Sequence, residues 1–171
     1  MSGDGAGRSE TLPRVHDSFQ RMNNTGNIRD LYERMIAGWN AADAAAMTRD
    51  FAEDGQIIGF DGSEMSGRER IASYLAGIFA NHRVASYVTL VREVRELGPD
   101  VMLLRAHVGM VPPGKAEINR GTNAVQTLIA VKRGDRWQIA LFQNTPAAWH
   151  GRDDDANALT AELQAAFDDS K

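Results

Sequence analysis

The chain contains no cysteine, which excludes a disulfide framework, a thiolate nucleophile and a cysteine-ligated zinc site. An excess of basic charge is also missing. Nineteen Lys and Arg stand against 23 Asp and Glu, for a formal net charge of -4, and the isoelectric point is about 5.5. A nucleic acid or an anionic membrane surface wants a basic face, so neither is expected as a partner. No apolar run approaches the length needed to span a bilayer, and Met1 to Arg8 is Gly/Ser-rich without the apolar core of a signal peptide. A soluble cytoplasmic protein is therefore expected. No Gly-x-Gly-x-x-Gly fingerprint or other nicotinamide or flavin motif is found, so no cofactor is expected. His-x-His and Glu-x-x-His spacings are absent too, and with His16 and His150 in an arm and a tail loop no metal site is expected.

What is present suits one globular domain of 171 residues, 43% of them hydrophobic. Residues 1–26 read as a mobile arm, because Gly3, Gly5, Gly7, Pro13 and the run Asn23-Asn24-Thr25-Gly26 offer little surface to bury. Within it, Val15, Phe19 and Met22 have the spacing of one amphipathic turn. From Asn27, a plausible N-cap, Ile28, Leu31, Tyr32, Met35, Ile36 and Trp39 recur at helical steps. Asp43 caps a second short helix over 44–51. A turn at Glu53-Asp54-Gly55 leads into a short strand over 56–60 and a tight turn at Asp61-Gly62. A third helix spans 68–80, with Ser66 as cap, Glu69 completing a capping box, and His82 capping its C-terminal end. The period then changes from 3.6 to 2. Four β-runs, 84–97, 101–111, 122–132 and 137–145, joined mostly by short turns, imply an antiparallel meander. A last helix over 157–167 follows Asp153-Asp154-Asp155, which suits the positive end of a helix dipole.

The fold class expected is α+β: three N-terminal helices laid on one face of a strongly curved antiparallel sheet, with a C-terminal helical extension. Such a cone encloses a cavity between the helices and the concave face. The domain proper is placed at 27–147 and the tail with its short helix at 148–171. The closing run ends in Gln143-Asn144-Thr145 just before Pro146. Strict alternation puts Ala140, Phe142 and Asn144 on one face and Ile139, Leu141 and Gln143 on the other. One amide at the rim of an apolar surface suggests a pocket.

Several spaced segments carry a family resemblance: Ala37-Gly38-Trp39-Asn40-Ala41-Ala42-Asp43, Phe51-Ala52-Glu53-Asp54-Gly55, Gly67-Arg68-Glu69-Arg70-Ile71, Trp137-Gln138-Ile139 and Phe142-Gln143-Asn144-Thr145. Together with the order of elements, they resemble the nuclear transport factor 2-like superfamily, with its SnoaL-like cyclases and ketosteroid isomerase, and within it the SgcJ/EcaC family. The resemblance covers about 28–146. It implies a cystatin-like cone with a ligand pocket and a homodimer built on the convex sheet face. Some SgcJ/EcaC members belong to enediyne and other polyketide pathways. An "oxidoreductase" label is common in that family, and nothing in these residues supports it. The superfamily hosts isomerases, cyclases, dehydratases, hydrolases and pure binders, so the fold does not choose among them.

Ketosteroid isomerase chemistry needs a carboxylate base with a tyrosine and a protonated aspartate as oxyanion donors. Alignment puts those roles at Gly59, about Met35 and about Thr127, none of which can perform them. The aspartate–arginine–aspartate set of limonene-epoxide-hydrolase relatives is missing as well. His107 is then the candidate acid–base and Arg105, two residues away on the same strand face, a candidate anion holder. Two placements stay open for this pair: inside the pocket, which comparison with the isomerase favours, or outward in a structural or interface role. The apolar alternate face, Met102, Leu104, Ala106, Val108 and Met110, suits a pocket or an interface equally. Tyr32, Trp39, Phe60, Thr127, Phe142 and Asn144 complete the expected ligand-binding set, with Asn123 beside Thr127. The function expected is binding of a small apolar or aromatic molecule, serving a polyketide or other secondary-metabolite pathway. The rival is a cofactor-independent cyclase, dehydratase or isomerase acting on a carbonyl compound through His107. A third reading is a purely structural dimerisation domain.

Overall fold

Ile28, Leu31, Tyr32, Met35 and Ile36 are all buried, on one stripe of helix α1 (Val15–Asn40) that lies across a curved sheet. The structure, a computed structural model, describes residues 15–171, with side chains from residue 18 onward. Helix α1 begins well ahead of the expected Asn27 cap, so 15–26 is helical; residues 1–14 lie outside the described residues. Asn and Gly are weak helix formers, but a helix nucleated by its packed half propagates at little cost, and Asn24, Thr25 and Gly26 gain partial cover. Phe19 and Met22 stay exposed, so no described contact docks that stretch through them.

Asp43 does cap α2 (Ala44–Thr48), its carboxylate accepting from the Ala46 amide at 2.9 Å. The two helices touch at Gly38, where a Cβ would fall on the backbone N and Cα of Met47. Only glycine permits that approach. Strand β1 (Phe51–Ile58) starts where the second helix was expected to end, and the anticipated turn at Glu53–Gly55 is a bulge within it. A short β2 (Glu64–Ser66) pairs with β1 and leads to α3 (Arg68–Asn81). The cap of α3 is Gly67 with no side-chain hydrogen bond, so neither Ser66 nor the capping box with Glu69 forms.

Strands β3 (Ser86–Gly98), β4 (Val101–Val111), β5 (Ala124–Arg133) and β6 (Arg136–Pro146) form the antiparallel meander. The sheet order is β2-β1-β6-β5-β4-β3. One pairing departs from the antiparallel rule, because β1 runs parallel to β6. Helices α1, α2 and α3 fill the concave side, and the core joins them to Met102, Leu104, Ala106 and Val108 of β4 and to Ala124, Leu128 and Ala130 of β5.

The convex side is not bare. Helix α4 (Asp153–Asp169) lies on β3 and β4, and Leu159 and Leu163 form a second apolar cluster with Val111, Ile118, Val88 and Leu90. Gly109 makes room for it: a Cβ there would lie 2.8 Å from Ile118 and 3.2 Å from Leu163. The three N-terminal helices share one face as expected, and the C-terminal helical extension occupies the other.

Candidate functional site

Between the concave face and the helices lies a cavity of about 340 Å³, at the small end of the range for small-molecule sites. Its floor is Phe142 and Asn144 of β6 with Tyr87 of β3 and Met110 of β4. Trp39, Met47, Ile71, Leu75 and Ile78 supply the helical walls, and Gly59, Phe60, Asp61 and Ser63 form a lip between β1 and β2. The lining is overwhelmingly apolar. Asp61 at the lip is exposed, and hydrogen bonding from the Ser63 side chain, then from the Ser63 amide at 2.9 Å, holds its carboxyl below the usual carboxylate range.

The walls are fixed by polar ties to the backbone. Trp39 donates through Nε1 to the Ala85 carbonyl at 2.8 Å, and its ring packs against Phe79 and Tyr87, at 5.4 and 5.2 Å between centroids. Asn40, the last residue of α1, clamps Tyr87 twice: its Oδ1 accepts from the Tyr87 amide at 2.8 Å and its Nδ2 donates to the Tyr87 carbonyl at 3.0 Å. That clamp sets where the Tyr87 phenol enters the cavity floor. There Asn144 donates through Nδ2 to the Tyr87 hydroxyl at 2.9 Å. Burial pushes the Tyr87 phenol up, against a smaller opposing effect of Asn144, so it stays protonated.

A second polar pair sits behind the first. Tyr32 donates to Gln126 Oε1 at 2.6 Å, both side chains wholly buried, and burial, reinforced by Tyr87, raises the Tyr32 phenol as well. Gln126 and Asn144 face each other across β5 and β6. Two of their atoms, Gln126 Nε2 and Asn144 Oδ1, are buried without a protein partner. Each such group costs about 1–3 kcal/mol when left unpaired.

Of the residues singled out from sequence, Trp39, Phe60, Phe142 and Asn144 line the cavity. Tyr32 lies one layer deeper, in the core. Arg105, His107 and Thr127 are on the opposite face of the sheet, and this corrects their placement inside the pocket. The inward set of β4 is Met102, Leu104, Ala106 and Val108, and that of β5 is Ala124, Gln126, Leu128 and Ala130. Thr127 pairs with Arg105 and Gln143, all outward. The physical reason is parity: a register displaced by one residue exchanges the faces of every side chain in the strand. Asn123, expected beside Thr127, instead donates to the Thr160 hydroxyl of α4 at 2.7 Å.

On the convex face, His107 Nδ1 accepts from Arg92 Nε at 3.1 Å, and Arg92 grips Glu162 of α4 with two bonds of 2.7 and 2.5 Å. Arg105 is exposed and pairs with Glu93 at 3.3 Å. Partial burial, then the Arg92 and Arg105 charges, hold the imidazole below its ordinary value. This cluster fastens α4, and none of its residues lines the cavity. Sequence reasoning missed Tyr87 and Gln126. The second left a readable trace, an amide within the otherwise apolar alternate set Ala124, Leu128 and Ala130. Among the described residues no three His, Asp or Glu side chains gather as a metal site.

Solved structures share this architecture. One is a domain of unknown function with a cystatin-like fold from Nostoc punctiforme, with 22% identity, a TM-score of 0.66 and coverage of 92% of this chain and 95% of that one. An NTF2-like protein of unknown function from Shewanella oneidensis has 19% identity, a TM-score of 0.56 and coverage of 71% and 98%. A ketosteroid isomerase-like protein from Erwinia carotovora atroseptica has 15% identity, a TM-score of 0.57 and coverage of 72% and 95%. At these identities the likeness speaks for the fold alone. No curated protein sequence matches the chain. Residues 28–162 match the SnoaL-like domain, a span that runs from the buried stripe of α1 to the middle of α4, and on that match the chain belongs to the SnoaL-like domain family.

Proposed function

We propose that the protein binds a small, mostly apolar molecule in the cavity above Phe142 and Asn144, as an SgcJ/EcaC-like member of its family working in the cytoplasm. The observation that carries this reading is the character of the lining: apolar walls, two buried polar side chains at the floor and one solvated carboxylate at the lip. A binder needs shape and an orienting group, and both are supplied. The cyclase or isomerase alternative loses its proton carrier, since His107 stands on the other face of the sheet. A polyketide or other secondary metabolite is the ligand class in keeping with the family resemblance. Dimerisation through the convex face would use β5 and β6, where Val125, Ile129 and Leu141 point outward, because α4 covers β3 and β4.

The test is a titration with fused-ring aromatic probes, read through Trp39 fluorescence, with Trp39→Phe assigning the signal. Binding is expected in the micromolar range typical of small probes in a preformed apolar pocket. Ile57→Trp places a large ring in the cavity and is expected to abolish binding while the protein stays folded. Undiminished binding in Ile57→Trp would place the ligand elsewhere.

A further inference from the structure

From the Tyr87–Asn144 pair we infer that the cavity recognises a neutral hydroxyl group, a phenol or enol on an apolar ring system, which donates one hydrogen bond to this pair and accepts another from it. The inference rests on the reading of the cavity as a ligand site and adds the chemistry of the ligand.

Both side chains line the cavity floor and both are more than nine-tenths buried, Asn144 at 4% exposure and Tyr87 at 8%. Their mutual bond uses one amide N–H and one lone pair of the phenol. Two functions are then left over: the Tyr87 O–H proton, which donates to no described protein acceptor, and Asn144 Oδ1, which has no protein partner and is itself covered, so that a ligand reaches it through a rotation of the Asn144 amide. The pair thus offers one donor and one acceptor. Turning the amide over does not change this balance. Tyr87 would then donate to Oδ1, leaving the amide N–H as donor and the phenol oxygen as acceptor. A hydroxyl, itself both donor and acceptor, satisfies the pair in either state. A ketone or ether satisfies only the donor, and a hydrocarbon neither.

Charge decides between a hydroxyl and its anion. Among the described residues no Lys, Arg or His lines the cavity, and the carboxylate at its lip is ionised. An anion entering this apolar lining would lose its hydration without gaining a counter-charge. The neighbouring Tyr32–Gln126 pair cannot substitute, because neither residue lines the cavity. It braces the site instead, with Gln126 directly across the strand pair from Asn144.

The experiment compares three probes of one shape, 2-naphthol, 2-methoxynaphthalene and 2-methylnaphthalene, binding to the full chain near neutral pH, where the naphthol is protonated. In the wild type, 2-naphthol is expected to bind about tenfold tighter than either of the others, the worth of one to two net hydrogen bonds. Asn144→Leu, close in shape but without the amide, is expected to remove that preference and to keep or improve binding of 2-methylnaphthalene. Tyr87→Phe is expected to remove part of it. Equal affinity for all three probes in the wild type would overturn the hydroxyl assignment and leave the apolar pocket standing. A preference that survives unchanged in Asn144→Leu would overturn it as well, whatever happens to stability. Failure of every probe to bind would overturn the pocket reading along with it.

Discussion

The two faces of the sheet are covered by the same means, apolar side chains on a helix, yet among the described residues only the concave one keeps an apolar cavity. On the concave side, α1 packs chiefly on β3 and α3 on β1, with a cavity remaining between them above Phe142. On the convex side, α4 lies close enough that Ile118 and Leu163 fill the position of a missing Cβ at Gly109. Polar groups differ as well. The concave face buries only neutral hydroxyls and amides among its described polar pairs, whereas the convex face meets its helix with the Asn123–Thr160 bond and with an exposed ion pair beside a half-buried imidazole. The lesson is that a residue's chemistry does not reveal its role until its face is known. His107, the most reactive-looking side chain of the meander, belongs to the face without a cavity.

The largest effect expected from breaking this division is on the convex side. Leu163 is wholly buried between α4, Ile118 and Gly109. Leu163→Ala should cost about 2–5 kcal/mol, the range for truncating a core leucine. Thermal or urea unfolding measures it. Probe binding in the cavity should be unchanged at temperatures where the variant is folded. Loss of binding in Leu163→Ala would show that the two faces are coupled through the sheet.

A smaller effect is expected in the polar layer behind the cavity. Tyr32→Phe removes the hydroxyl that donates to Gln126 at 2.6 Å and leaves both ends of a buried amide unpaired. The loss should be about 1–3 kcal/mol. Because Tyr32 does not line the cavity, 2-naphthol should bind the variant with little change. A tenfold loss of affinity would mean that the buried pairs act as one network.

Much of this fold was legible in the sequence, and the illegible parts share a cause. The stripe from Ile28 to Trp39 and the bounds of β4 follow from periodicity, a local property. The faces of the strands do not, because they depend on register with distant partners. In β6, Ile129 pairs with Leu141 while Ala130 pairs with Ile139, so Ala140 is an extra residue. This bulge lets Ile139 and Phe142 both point inward, against the strict alternation expected from the sequence. In β4 the alternate apolar set suited a pocket or an interface equally, and the comparison with an isomerase argued for Arg105 and His107 inside. Asn144 kept its place because it lies beyond the bulge and shares parity with Phe142. Tyr87 escaped notice because its role comes from Asn40, 47 positions earlier, which clamps its backbone.

The smallest effect should appear as a pH dependence confined to the convex face. The groups that meet there are His107 of β4, Arg92 of β3, Arg105 beside His107, and Glu162 of α4. Burial and the two arginines lower the folded-state pKa of His107, and Arg92 lowers that of Glu162. Unfolded chains therefore take up protons before the folded protein does at both sites. The histidine contribution is full above its ordinary value of about 6.5 and fades as pH falls through the lowered folded value. The glutamate contribution fades in turn below about 4.3. Hydrogen exchange of the α4 amides against pH should show protection falling in these two steps. His107→Phe should remove the upper step and Glu162→Gln the lower, each pair partner being worth about 0.2–1 kcal/mol at an exposed site. Ligand binding should stay flat across the same range, because Tyr32 and Tyr87 remain protonated and Asp61 at the lip, held below the usual carboxylate range, stays ionised. A binding curve that tracked the α4 steps would contradict the separation of the two faces.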